Sequence, residues 1–233
     1  MPIPKKPKAQ APKTARARVY QTLKEWIENN TLKPGEKLYD TELASYFEVS
    51  RTPVREAMQL LADQKLIEIT PGKESRVAEI DFAQLKEVYI LLGDLNVRAI
   101  EFAFPFITEK HIKELEAINQ KLPSGTAEVF LTQDALFHQY ILNLCGNPFL
   151  KDFCNTLTTH ASRFRNLYAN AVPYHSVKET YEGHERIIKA LKAKDLAAAS
   201  EAIRDNFTFI LPKIDELTKL YQNDTKGECC TMT

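Results

Sequence analysis

No run of about 18 apolar residues occurs in this 233-residue chain, so no helix is expected to cross a membrane. The N-terminus is basic but has no apolar stretch behind it, which excludes a secretory signal. Cysteine is scarce: Cys145, Cys154, Cys229 and Cys230 form no C-x-x-C pair. Their spacing fits neither a zinc knuckle nor a disulfide framework, so reduced thiols and a cytoplasmic location are expected. The terminal CCTMT lacks the aliphatic pair of a prenylation box and reads as a loose tail. There is no internal repeat. There is no net charge either, so the overall balance names no partner. Acidic residues are missing from residues 1 to 24, where Lys5, Lys6, Lys8, Lys13, Arg16, Arg18 and Lys24 stand. A basic arm of this kind suits a polyanion, and residues 1–13 read as a flexible leader.

What is present divides at about residue 80. Val19, Leu23, Trp26 and Ile27 line one face of a helix over 14–30. A Pro-Gly turn follows in LKPGEKL, and Asp40 is placed to cap a second helix, TELASYF. A third helix is expected from Pro53 to Gln64. The alternating stretches LIEIT and RVAEI, separated by PGKES, predict a two-stranded hairpin. Helix, turn, helix, short turn, helix and hairpin is the order of a winged helix-turn-helix, placed at 14–78. The rest, 82–222, reads as an all-α bundle, with helices near 82–103, 108–122, 126–145, 149–170, 177–193 and 196–222. Ser176 with Glu179 forms a capping-box pattern, and Asp195 can cap the last helix. Residues 223–233 form the tail. The fold class is therefore mainly α, with one small β-hairpin.

On a wheel of 100° per residue, Ala57, Met58 and Leu61 fall within about 60° of Val54. Thr52, Arg55, Glu56 and Gln59 face the other way, with Arg51 near the edge. Thr52 can cap the helix, and Pro53 at its start loses no hydrogen bond. Free amide groups flanked by two arginines suit phosphate, and arginine can pair bidentately with guanine. The first residues of this helix are the ones that read bases in helix-turn-helix proteins. One short helix reads few base pairs, so a homodimer on a palindrome of double-stranded DNA is expected.

In the bundle, Asp134, His138, Ile141 and Cys145 share one stripe. So do His184, Ile187, Ile188 and Leu191, and so do Ala199, Ile203, Asn206, Phe207 and Ile210. Polar groups aimed inward need a partner, because a lone buried carboxylate costs several kcal/mol. Asp134 and His138, one turn apart, suit one divalent metal such as Zn²⁺, Ni²⁺ or Mn²⁺. A buried Asp134–His138 ion pair is the other reading. His160 lies on the stripe of Phe153, Leu157 and Phe164, and Arg165 reads as a surface or dimer-contact charge. A bundle metalloenzyme is the weaker alternative, because a di-iron bundle needs Glu-x-x-His pairs and none occurs.

The stretch VSRTPVREAMQLLADQKLIEI resembles the signature of GntR-type bacterial transcription regulators, a likeness covering 14–80. It implies base or phosphate contacts from Arg51 and Arg55 and phosphate contacts from Ser50 and Thr52. It further implies a wing glycine at Gly72 near the minor groove, with Lys73 beside the backbone. Thr41 stands where many members carry arginine. DALFHQYILNLCGNPFL and GHERIIKALKAKDLAAA resemble the ligand-binding FCD domain of the FadR subfamily, from 82 to about 215. Many members hold a metal through one Asp and three His, and the metal helps to hold a small carboxylate. Asp134, His138 and His184 fall on three of those positions and Asn206 on the fourth. Leu92 and Asn96 replace an Arg and a Glu of the family's first bundle helix, so the anchor for a carboxylate falls to Arg163 and His160. The resemblance implies a non-enzymatic regulator that senses a small-molecule effector, an organic acid. An effector-independent dimeric regulator is the alternative.

Overall fold

The computed structural model describes residues 14–70, 74–124, 126–168, 175–216 and 218. The chain forms two compact units, divided between Glu79 and Ile80. The first contains α1 (Ala15–Glu28), β1 (Lys37–Leu38), α2 (Asp40–Phe47), α3 (Arg51–Asp63), β2 (Ile67–Ile69) and β3 (Ser75–Val77). Thr14 caps α1 by accepting from the Ala17 amide at 3.2 Å. Val19, Leu23 and Ile27 of α1 pack with Val54, Ala57, Met58 and Leu61 of α3, the stripe expected from the wheel. Between α2 and α3 the backbone turns on Glu48, which takes the left-handed conformation at φ 54°.

Three details differ from expectation. The sheet has three strands in the order β1-β3-β2, not a two-stranded hairpin. Lys37–Leu38 is too short to show an alternating pattern, and it pairs antiparallel with Arg76 and Ser75, from which α2, α3 and β2 separate it in the chain. Helix α3 starts at Arg51, so Ser50 rather than Thr52 holds the cap position, and Pro53 is the third helical residue. That shift costs nothing, because the first four amides of any helix lack internal acceptors. Asp40 is the first residue of α2 and does not cap it; Tyr39 precedes the helix without a side-chain capping bond.

The second unit runs α4 (Phe82–Ala103), α5 (Glu109–Gln120), α6 (Ala127–Leu144), α7 (Pro148–Tyr168), α8 (His175–Lys192) and α9 (Leu196–Thr208). Short 3₁₀ turns at Phe104–Phe106 and Leu122–Ser124 flank α5. Asp81 caps α4, and Asp195 caps α9 by accepting from the Ala198 amide at 2.9 Å. Ser176 lies inside α8, one residue past its start. The long last helix expected over 196–222 is broken. Turn residues Phe209 and Ile210 end α9, and helix resumes over 211–216. Pro212 explains the break, since it has no N–H to give to the carbonyl four residues back, and its ring crowds that carbonyl. The inner faces bury Phe137, Ile141, Ile187, Ile188, Leu191 and Ile203 in one cluster. Phe153, expected on an inward stripe beside His160, is instead 65% exposed. Among the described residues no helix is long and apolar enough to cross a membrane.

Candidate functional site

Two sets of polar side chains stand out, one in each unit. In the first, Ser50, Arg51, Thr52 and Arg55 are all exposed at the start of α3. Both arginines turn to one carboxylate. Arg51 Nη2 donates to Asp40 Oδ1 at 3.0 Å and to Oδ2 at 2.9 Å, and Arg55 Nε donates to Oδ2 at 2.5 Å. Hydrogen bonds from Arg55 and Arg51 hold the Asp40 carboxyl below the usual carboxylate range. This explains why Asp40 does not cap α2: its oxygens are committed elsewhere. Gly72 and Lys73 lie outside the described residues.

In the second unit, Asp134 and His138 on α6 meet His184 on α8. His184 Nε2 lies 3.3 Å from His138 Nε2 and 3.5 Å from Asp134 Oδ1, and His138 Nε2 lies 3.7 Å from the same oxygen. Three further contacts set His184. Its ring stacks on Phe137, with centroids 3.7 Å apart and planes 6° from parallel. Its Nδ1 is 3.0 Å from Asn119 Oδ1. Asn119 Nδ2 donates to Tyr181 O at 3.3 Å and to Glu185 Oε1 at 2.8 Å, which fixes the amide with its oxygen toward the imidazole. An amide oxygen only accepts, so the His184 proton sits on Nδ1 and the Nε2 lone pair points into the cluster.

This donor set fits a metal ion. An ion about 2.1 Å from each of three donors at near-tetrahedral angles spaces them about 3.4 Å apart. The observed separations bracket that value. Asn206 on α9 stands beside His138, is 6% exposed, and its Nδ2 has no hydrogen-bond partner. Gly183 of α8 makes room for it, since a Cβ there would meet Asn206 Nδ2 at 2.5 Å.

Arg165 on α7 was expected at the surface or at a dimer contact. It turns inward instead and donates to Asp134 Oδ2, on the side away from the histidines, and through Nη2 to Ser162 Oγ at 3.2 Å. Burial works to raise the Asp134 carboxyl, but the Arg165 guanidinium outweighs it and holds it well below the usual range. Burial pushes His138 down to about 3 against the pull of Asp134, so its imidazole is available as a neutral ligand. Arg163 is buried and His160 half-buried on the same helix. Leu92 and Asn96 are buried on α4, where the Asn96 amide donates to Leu92 O at 2.9 Å. Two signals in the sequence pointed to Asp134, His138 and His184, namely spacing and resemblance. No local pattern pointed to Arg165 or Asn119, because one reaches the cluster from α7 and the other from α5.

Comparison with known proteins decides the family. Residues 15–77 match the model described as bacterial regulatory proteins, gntR family, and residues 87–208, more than half of the chain, match the FCD domain. The chain belongs to the gntR family of bacterial regulatory proteins, with an FCD domain as its second half. It is a DNA-binding transcription regulator and not an enzyme. It is 28% identical over 225 residues to the gluconate operon transcriptional repressor of Bacillus subtilis, covering 90% of this chain and 89% of that one. It is 27% identical over 195 residues to the uncharacterized HTH-type regulator YdhC of the same organism, covering 81% and 85%. The fold is shared with the solved structure of Escherichia coli McbR/YncC, with a TM-score of 0.75 at 23% identity over 88% of this chain and 99% of that one.

Proposed function

We propose that this gntR-family regulator is a homodimeric, cytoplasmic repressor that senses a small organic acid through a metal-bearing FCD domain. The observation that carries this reading is the convergence of Asp134, His138 and His184, with their ligand atoms within 4.8 Å of one another. When bound, one divalent ion such as Zn²⁺, Ni²⁺ or Mn²⁺ supplies a Lewis-acidic point that a carboxylate can join. Asp134 Oδ1, His138 Nε2 and His184 Nε2 would hold it, with the Asn206 amide close by. Arg165 keeps Asp134 ionised from behind, while Arg163 and His160 serve the acid. Tyr89, buried on α4, has no hydrogen-bond partner for its hydroxyl, so the domain offers a polar group for a ligand to meet.

The first unit, residues 14–78, is the DNA-binding domain, and 82–222 is the sensing and dimerising domain. Ser50, Arg51, Thr52 and Arg55 of α3, with Gly72 and Lys73 of the wing, meet a palindromic operator. Dimerisation is supported by apolar side chains left in water. Phe149 and Phe153, one turn apart on α7, are 75% and 65% exposed, and Leu136 of α6 is 46% exposed. Exposed apolar side chains one turn apart on a helix suit a subunit interface.

A second reading has its own support. Arg165 already neutralises Asp134, so the cluster is charge-balanced without an ion, which suits an effector-independent dimer. Elemental analysis of the purified chain and of His138→Ala separates the two. The sensing reading expects a near-stoichiometric divalent metal in the wild type and none in the variant. It also expects an upward melting shift with an acid such as gluconate only when metal is present. Wild-type protein that takes up no Zn²⁺, Ni²⁺ or Mn²⁺ after reloading would sink it.

A further inference from the structure

We propose that Asp40 is a specificity-determining residue for DNA: it holds Arg51 and Arg55 as one aligned pair and removes part of their attraction for any phosphate. The proposal rests on the reading of α3 as the DNA-reading helix. Its basis is the geometry at the start of that helix. The Asp40 side chain is only 19% exposed, whereas those of Arg51 and Arg55 are 54% and 66% exposed. The carboxylate is thus tucked behind two guanidinium groups that face water. Asp40 is held in turn, because it sits in the first turn of α2, where the helix dipole favours an anion.

The choice of atoms matters more than the charge count. Arg55 uses Nε alone for Asp40, and among the described residues its two terminal nitrogens take no other hydrogen bond. Arg51 gives Nη2 to both carboxylate oxygens, and Nη2 belongs to each of its paired-donor edges, so the open paired edge is that of Arg55. Held at Nε, Arg55 is restrained in orientation while its Nη1–Nη2 edge stays open. A bidentate contact to guanine O6 and N7 needs that state, because two parallel N–H bonds tolerate little rotation. A free arginine instead sweeps many rotamers and satisfies any phosphate it meets. One carboxylate against two cations also lowers the local charge from two to one, and nonspecific affinity follows the number of phosphates neutralised.

The test uses the full-length chain and a random-sequence duplex library. Wild-type protein selects a preferred duplex, and its affinity is compared with that for a shuffled duplex over a range of salt. Asp40→Asn is expected to bind the shuffled duplex more tightly and with a steeper salt dependence, by about one unit in the log–log slope. The ratio of preferred to shuffled affinity is expected to fall about tenfold or more, the discrimination carried by one bidentate base contact. Asp40→Glu, which keeps the anion, is expected to recover most of the ratio. An unchanged or increased ratio in Asp40→Asn overturns the proposal, and so does an Asp40→Glu protein no better than Asp40→Asn. A wild-type chain that enriches no duplex overturns the α3 assignment itself, and the role of Asp40 with it.

Discussion

This chain contains two aspartate–arginine contacts of the same chemistry in opposite surroundings. Asp40 lies at the surface of the first unit and meets Arg51 and Arg55, whose heads are mostly in water. Asp134 lies inside the second and meets Arg165, with two imidazoles on its other oxygen. In water an ion pair contributes about 0–1 kcal/mol, because both ions are already solvated and two long side chains must be ordered. Inside a protein each ion has lost its water, so removing one partner strands the other at high cost. The surface pair is therefore suited to aligning groups for something else to read. The buried pair is a condition of folding, and it leaves one carboxylate oxygen ready for a cation.

The largest expected effect comes from breaking the buried pair. Arg165→Leu should cost about 3–5 kcal/mol in urea unfolding of the metal-free protein, the usual result of an uncompensated buried charge. Adding Asp134→Asn should recover much of this loss, and Zn²⁺ should recover part of it in the single variant. A single variant as stable as wild type would show that Asp134 is not stranded.

Next comes the support behind the cluster. Asn119→Leu frees the His184 ring to place its proton on Nε2, so Zn²⁺ affinity should fall about 10–100-fold, as it does when hydrogen-bond partners of metal ligands are removed. Competition with a chromophoric chelator measures it, and unchanged affinity would remove Asn119 from the design. Smaller still is the stability change in Arg51→Ala and Arg55→Ala, expected within about 1 kcal/mol although DNA binding is lost. A large drop in melting temperature for either would make the surface pair structural after all.

The smallest effect is in pH. The folded pKa of Asp40 is lowered, so its contribution is present above the unfolded value, about 3.9, and is lost as pH falls through the folded one. The stability difference between wild type and Asp40→Asn should therefore be flat above about pH 4 and shrink below it. A difference that shrinks around neutrality would point to another group.

Much of this was legible beforehand, for identifiable reasons. Helix α4 was expected at 82–103 and occupies those residues, because an acidic cap and a proline bound a long periodic stretch. The inward face of α3 was legible because its period matches the helix turn. What escaped was non-local. β1 exists only through its pairing with β3. Arg165 reads as solvated when its own helix alone is considered, and its inward turn depends on Asp134, 31 residues away. Asp40 carries a perfectly good capping signal, and its oxygens go instead to arginines 11 and 15 residues on. The stripe through Ala199, Ile203, Asn206, Phe207 and Ile210 predicts a helix that runs on past Pro212, but the missing N–H there ends it.

By itself, then, the amino-acid order determined which segments are helical, which faces are apolar, that a helix opening on two arginines sits in a helix-turn-helix, and that an Asp and two His point inward. These are local properties, set by caps, breakers and periods of a few residues. Only the tertiary structure decided which charges meet: that one surface carboxylate gathers two arginines, that a buried one takes Arg165 behind it, and that Asn119 presents the His184 lone pair to the cluster. Those outcomes depend on distance in space between helices far apart in sequence, where desolvation makes a partner obligatory and geometry selects it.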